Sequence, residues 1–468
     1  MDIDIPAPPE RVAGPASKVV GLYQMYLRRN LEHFFPDAVL DLTSDRSFIH
    51  LDILGGDRYR IEDDPDGFGV AIEWLRSRYI FSPGSPTTFL PAERRLIDVI
   101  VRVIDHRFLA LFDPEAVHRA EMFQYAFEDF IVTEYLDPPE SVRLPAALEA
   151  LRVAALSTYE NRRVSTGALL LGTDDDPALP GWTNPDGAPR YSVRLTAIKG
   201  FHRLCDGVRT VYLVDRHGDL ARAVDIAHWA DLAQGTDGPE NPCPRAYRAH
   251  ARATRTGEHV CLVLTPSQEI KVFAGGNLAF SFSDARWRLL DIPTKFATWC
   301  KAVGVSNCRD LAGRIFQAAL NLGEDRKGAL FVVLRDPAAS ITSLIAPADR
   351  IDEDVTIDDP EDPDNLSPRL AKRSLHHVVR GQGITQIDST VLEALAGIDG
   401  AVVTDKDGRL LTFGAILRIA PETLKVARAV EGARTLAALA ASLHGPVLKV
   451  SEDGFLTMFL GGRRVWEL

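Results

Sequence analysis

The chain has 468 residues, 46% of them apolar and 25% charged, with a net charge of -12 at pH 7. That length exceeds what one hydrophobic core usually serves, so two or three domains of about 100–200 residues each are expected. The acidic balance argues against broad binding to a nucleic-acid backbone and leaves room for a local basic pocket, so a small nucleotide suits the chain better than a long nucleic acid. Cys205, Cys243, Cys261, Cys300 and Cys308 include no CxxC pair, and their odd number suits a reducing compartment. No stretch has the ~18 consecutive apolar residues of a membrane span, and the N-terminus lacks a basic segment followed by an apolar one. A cytoplasmic protein without membrane association is the expectation.

In chain order, the proline-rich residues 1–15 read as a flexible arm. From Lys18 to Phe35, Val19, Val20, Leu22, Tyr23, Tyr26, Leu27 and Leu31 recur at helical spacing and stop before Pro36. Phe48 to Ile53 alternates like a strand, and Val70 to Tyr79, Ala92 to Phe112 and His118 to Glu134 read as helices. Residues 16–145 are therefore expected to form a mainly helical unit, with no catalytic motif. His33, His50, His106 and His118 have no metal-ligand spacing, and Arg94, Arg95 and Arg102 read as a solvated helix face.

Residues 146–295 read as an α/β, sensor-like domain, either a degenerate repeat of the C-terminal one or an unrelated α/β domain. Gly167-Ala-Leu-Leu-Leu171 parallels Gly328-Ala-Leu-Phe-Val332, and Leu213 to Leu220 parallels Val403 to Leu410. Val263 to Gly276 runs without a gap beside Lys449 to Gly462, so Gly275-Gly276 falls on Gly461-Gly462. As a repeat it is degenerate. Asp206-Gly207 lies three residues too far ahead of its strand, and Pro266 removes a backbone donor that a phosphate could use. Arg162 and Arg163 read as a solvated pair.

Ser281 to Asp310 reads as a connection, after which residues 305–468 form an α/β domain with a central mixed sheet flanked by helices. Leu311 to Leu322 carries an amphipathic stripe, and Ala329 to Leu334 is a buried-type strand. Asp352 to Asp364 holds eight acidic residues and two prolines and reads as a solvated loop. His376 and His377 are adjacent on a helix and point apart, so they are not a ligand pair. Leu392 to Ile398 reads as a helix ending at Asp399-Gly400-Ala401. Val402 to Thr404 is a strand turning at Asp405 to Gly408, Glu431 to Ser442 a small-residue helix, and Val447 to Val450 a strand delivering Ser451-Glu452-Asp453 to its end.

The order Gly328-Ala-Leu330, Asp399-Gly400-Ala401, Gly432-Ala433-Arg434 and Val450-Ser451-Glu452 resembles the diadenylate cyclase domain, the nucleotide-binding domain of the bacterial DNA-integrity scanning protein, over the last third of the chain. The resemblance implies a C-terminal diadenylate-cyclase-like fold under an N-terminal sensor-like extension. It implies Asp399, Gly400 and Arg434 as catalytic residues, with Asp399 also the ligand of Mg2+ or Mn2+. Ala401, Leu417, Gly432, Ala433, Thr435, Ser451 and Glu452 would complete the nucleotide site. The partner would be ATP or a related adenine nucleotide, joined to a second ATP as cyclic di-AMP, with two domains facing each other in a homodimer or by internal pairing. One departure sets a nucleotide sensor that has lost catalysis beside the cyclase as the alternative, with a scaffold keeping only the fold as the third reading. The family pattern Gly-Thr-Arg-His-Arg stands here as Gly432-Ala433-Arg434-Thr435-Leu436.

Overall fold

The computed structural model describes residues 15–44, 59–64, 69–74, 77–84, 88–112, 115, 119–138, 143–173, 187–198, 200–232, 240–304, 309–346, 349–351, 375–379, 381–419 and 432–468. The expected strand Phe48 to Ile53, the acidic stretch Asp352 to Asp364 and nearly all of the expected arm lie outside these residues. Two compact units divide the chain. The first takes Met1–Gln234, Thr256–Gly275 and Phe280–Leu289, the second Gly235–Arg255, Gly276–Ala279 and Leu290–Leu468. Among the described residues, no helix is long and apolar enough to cross a membrane.

The first unit opens with helix α1 (Pro15–Phe34) and strands β1 (Val39–Ser44), β2 (Tyr59–Asp63), β3 (Val70–Trp74) and β4 (Ser77–Ser82). The strands form an antiparallel sheet in the order β1-β4-β3-β2. The helix expected from Val70 to Tyr79 is thus a correction: Val70–Trp74 and Ser77–Ser82 are paired strands, with Trp74 opposite Ser77. The period decides it, because Ser77, Tyr79 and Phe81 are buried while Arg78, Ile80 and Ser82 are less so. Helices α2 (Pro91–Phe112), α3 (Arg119–Gln124), α4 (Phe127–Leu136) and α5 (Leu144–Ala155) follow. The Trp74 ring stacks on Tyr23, and its indole N–H donates to Asp105 Oδ1 at 3.2 Å. Buried Asp129 on α4 accepts from Arg152 on α5 and from the Trp287 indole at 2.8 Å. The carboxylate is therefore ion-paired and hydrogen-bonded, which burial demands.

Next come β5 (Thr158–Tyr159), β6 (Arg162–Arg163), β7 (Thr166–Leu170), α6 (Val193–Thr196), β8 (Thr210–Val214), β9 (Leu220–Asp225), α7 (Ile226–Leu232), α8 (Arg248–Ala253), β10 (Val260–Leu264), β11 (Ile270–Ala274), β12 (Asn277–Ser283) and β13 (Arg286–Leu289). Seven of these strands make a mixed sheet in the order β13-β12-β11-β10-β7-β8-β9, with β7 and β8 parallel.

The second unit continues with α9 (Ile292–Val303), α10 (Arg309–Glu324), β14 (Ala329–Leu334), α11 (Pro337–Leu344), α12 (Ser389–Ala396), β15 (Ala401–Asp405), β16 (Leu410–Ala415), α13 (Ala433–Ala441), β17 (Val447–Val450), β18 (Leu456–Leu460) and β19 (Arg463–Glu467). Its six strands run β16-β15-β14-β17-β18-β19, with β14 parallel to β15 and antiparallel to β17. All six residues of β14 are buried, as expected of a central strand covered on both faces. One face packs under α11 and α13 through Leu330, Val332, Leu344, Ala438, Ala441 and Val447. Helices α10 and α12 pack against the sheet and against each other.

The two mixed sheets share one strand plan. Reading β7, β8, β9, β10, β11 and β12 against β14, β15, β16, β17, β18 and β19, the spatial orders coincide, and β13 is an extra edge strand. Local details repeat too. Asp215 and Asp405 close equivalent turns with their carboxylates, accepting from His217 and Asp219 in one and from Asp407 and Arg409 in the other, at 2.8–3.0 Å. The Thr265 and Ser451 hydroxyls accept from Glu269 and Phe455 N–H in the same way, at 3.0 and 3.2 Å. Gly275 and Gly276 have φ of 56° and 77°, and Gly461 and Gly462 have 61° and 76°.

The register corrects one pairing made from sequence. Leu169 lies opposite Leu213 and Cys261, whereas Val332 lies opposite Val403 and Val447. Leu169 therefore matches Val332, and Gly167 matches Leu330 rather than Gly328. A two-residue slip keeps every side chain on its own face, so the apolar pattern could not detect it.

Candidate functional site

Strand direction gathers the candidate residues at one end of the second unit's sheet. Because β14 and β15 are parallel, Gly328 and Asp399-Gly400 both stand just before their strands at the same end. Because β17 is antiparallel to β14, with Ala329 opposite Val450, Ser451-Glu452 emerges at that end as well. Ala401 pairs with Ala415, which brings the chain beyond β16, including Leu417, to this end too. At the usual interstrand spacing, the Asp399 corner and the Ser451 turn are two strands, or about 10 Å, apart.

The corner at Asp399 is built by the end of α12. Asp388 caps the helix start, accepting from Thr390 N–H at 2.8 Å, and the bonds from Thr390 hold the Asp388 carboxyl below its ordinary pKa. Glu393 accepts from Asn321 Nδ2 at 2.6 Å and pairs with Arg245, while Asn321 accepts from Arg245 N–H at 2.8 Å. This network fixes α12 on α10. Asp399 itself is exposed.

Gly400 has φ of 116°, and a Cβ there would overlap the Gly414 carbonyl and stand 2.7 Å from Ala415 N. Its lack of a side chain is thus demanded by the neighbouring strand, independently of any ligand. Ala401 is buried in the sheet. Leu417 is 7% exposed within the core cluster beside Ile345, with which it forms a β-bridge.

Gly432, with φ of 86°, precedes the first residue of α13, and having no side chain it leaves the helix start without a side-chain cap. Gly432 and Ala433 are exposed, and Arg434 and Thr435 half-buried. The Arg434 guanidinium lies over Gly328, where a Cβ would overlap it, and its Nη1 is 3.4 Å from Glu452 Oε1. Glu452 is 75% exposed, so this ion pair is a weak one. Ser451 is half-buried, and its hydroxyl accepts the Phe455 N–H, which closes the turn after β17.

Sequence reasoning passed over Lys449. Its Nζ donates to Thr435 Oγ1 at 3.0 Å, placing an ammonium at the first turn of α13. The available signal was a lysine inside the otherwise apolar run Val447-Leu-Lys-Val450.

The matching positions of the seven-stranded sheet carry different residues. Counting back from the matched Leu213 and Val403, Arg209 stands where Asp399 stands. The nearby Asp206 is consumed as a cap, its Oδ1 accepting from Val208, Arg209 and Thr210 N–H at 2.9, 2.7 and 3.1 Å. Burial pushes its carboxyl up, but those backbone donors outweigh that and hold its pKa below the ordinary value.

Among the described residues, no group of three or more His, Cys, Asp or Glu side chains is gathered that could hold a metal ion. Asp399, exposed at its corner, is the residue at this end that could hold a divalent ion.

No protein family description matches the chain, and no curated protein does. Part of it is similar to several solved structures, two of which follow. A hypothetical membrane spanning protein from Bacillus cereus is 20% identical, with a TM-score of 0.21, over 33% of this chain and 61% of that one. A double-cysteine mutant of DacA from Staphylococcus aureus is 19% identical, with a TM-score of 0.19, over 33% of this chain and 84% of that one. The chain thus spans 61% of the length of the Bacillus cereus protein, and both likenesses are slight.

Proposed function

We propose that the second unit holds an adenine nucleotide, ATP or cyclic di-AMP, at the end of its sheet, and that the protein senses this nucleotide more than it turns it over. The observation that carries the reading is the convergence of Gly328, Asp399, Arg434 and Glu452 on that end. Arg434 at an uncapped helix start suits phosphate, since the guanidinium and the free N–H groups both favour an anion. Asp399, one strand away from Gly328, suits a ribose hydroxyl or a phosphate-bound divalent ion.

Retention is favoured over turnover by Thr435 and Leu436, which stand where the resembled family has histidine and arginine. Cyclisation would need the 3′-hydroxyl of each ATP to attack the α-phosphate of the other, each losing its proton as one pyrophosphate leaves. Charge is carried by the oxygens of the phosphate under attack, and one missing donor in such a site costs about 2–4 kcal/mol of barrier. Exposure of Asp399 at its corner favours the second reading, a slow cyclase, because an accessible carboxylate there could serve the attacking hydroxyl as a general base.

Thermal unfolding of the full chain with ATP or cyclic di-AMP, with and without Mg2+ or Mn2+, tests binding. A ligand selective for the folded state raises the melting temperature by mass action, and Arg434→Ala should remove the rise. No rise with any adenine nucleotide would defeat the reading. Cyclic di-AMP accumulating from ATP, and failing to do so in Asp399→Asn, would transfer the assignment to the cyclase.

A further inference from the structure

We propose that Lys449 supplies from strand β17 the second phosphate-binding cation that helix α13 lacks, so that Arg434 and Lys449 together hold the anionic groups of the ligand. This rests on the nucleotide reading above and names the chemistry of its anion site.

Side chains alternate along a strand, so Lys449 shares a face with Val447, which packs in the core cluster beneath α13. Its Nζ reaches Thr435 Oγ1 at 3.0 Å, next to Arg434 and at the position where the resembled family has a histidine. The cation missing from the helix is thus replaced by one arriving from the strand below it.

The fold does not require a lysine there. In the other mixed sheet the matching register position is Val263, opposite Gly167 as Lys449 is opposite Leu330. The lysine is half-buried, and its hydrogen-bond partner is a neutral hydroxyl. A hydroxyl satisfies one of three ammonium donors and none of its charge. Burial lowers the Lys449 pKa, Arg434 and Arg464 lower it further, and Glu467 and Asp453 oppose them. A phosphate oxygen beside Thr435 would add a direct countercharge to the more distant ones of Glu467 and Asp453.

The test compares wild type with Lys449→Met and Lys449→Arg by calorimetric titration, using ATP, adenosine and inorganic tripolyphosphate as probes. Circular dichroism and melting curves confirm that each variant folds. The expected result is that Lys449→Met weakens ATP and tripolyphosphate by roughly tenfold or more, the usual scale for a lost charged hydrogen bond. Adenosine binding should be unchanged, and Lys449→Arg should recover most of the phosphate affinity. ATP bound equally by wild type and Lys449→Met would overturn the pair while leaving the nucleotide reading intact. Tripolyphosphate binding that depends on Lys449, without binding of any nucleotide, would keep the anion pair and remove the nucleotide. Wild type that binds neither would overturn both.

Discussion

Asp206 and Asp399 are two acids beside equivalent strands with opposite employment. Asp206 spends its carboxylate on three backbone N–H groups, whereas Asp399 is exposed at its corner. Asp206→Asn should therefore cost stability without touching nucleotide binding, by about 0.5–1 kcal/mol, the lower range for losing a side-chain cap. The pH dependence has a definite sign. The folded pKa is depressed below the ordinary 3.8, so Asp206 contributes its full stabilisation above that value and loses it as the pH falls through the lower folded value. Urea unfolding between pH 2 and pH 6 checks this, since the difference between wild type and Asp206→Asn should shrink toward the acid end. A constant difference across that range would contradict the capping role.

At the scale of elements, glycine carries two meanings that a sequence cannot separate. Gly400 reads as room for a ribose or phosphate, yet the backbone of Gly414 on β16 already requires its bareness. Gly400→Ala should therefore destabilise the ligand-free protein by roughly 2–5 kcal/mol, from unfavourable φ and overlap combined. Denaturant midpoints measured without nucleotide decide the matter, and an unchanged midpoint would refute the steric role. Periodicity made β14 and α10 legible, because each presents one uninterrupted apolar pattern to a sheet or helix layer. It failed at Val70–Trp74 and Ser77–Ser82, where clustered apolar residues satisfy helix and strand spacing together and only the antiparallel partner breaks the tie. It failed again by two residues at Gly167, where either register keeps the same face inward.

Over the whole molecule, the repeated strand plan accounts for two mixed sheets in one chain, of which the second has the acid, the guanidinium and the ammonium at its end. Motif order in the sequence led to Asp399, Arg434, Ser451 and Glu452, since strand directions carry those segments to a common end. Lys449 escaped it because its partner, Thr435, is reached across the fold rather than along the chain. Ser451 took on a second meaning, as its hydroxyl closes the same turn that Thr265 closes in the copy.

The central claim is that one nucleotide is held at the Arg434 end of the second unit and is not consumed there. Native mass spectrometry of the full chain equilibrated with ATP and Mg2+ reads both halves at once. The account predicts one adduct of intact ATP mass per chain, absent in Arg434→Ala. No adduct on the wild type with ATP or with added cyclic di-AMP, an adduct that persists in Arg434→Ala, or a cyclised dinucleotide formed from ATP during incubation would contradict it.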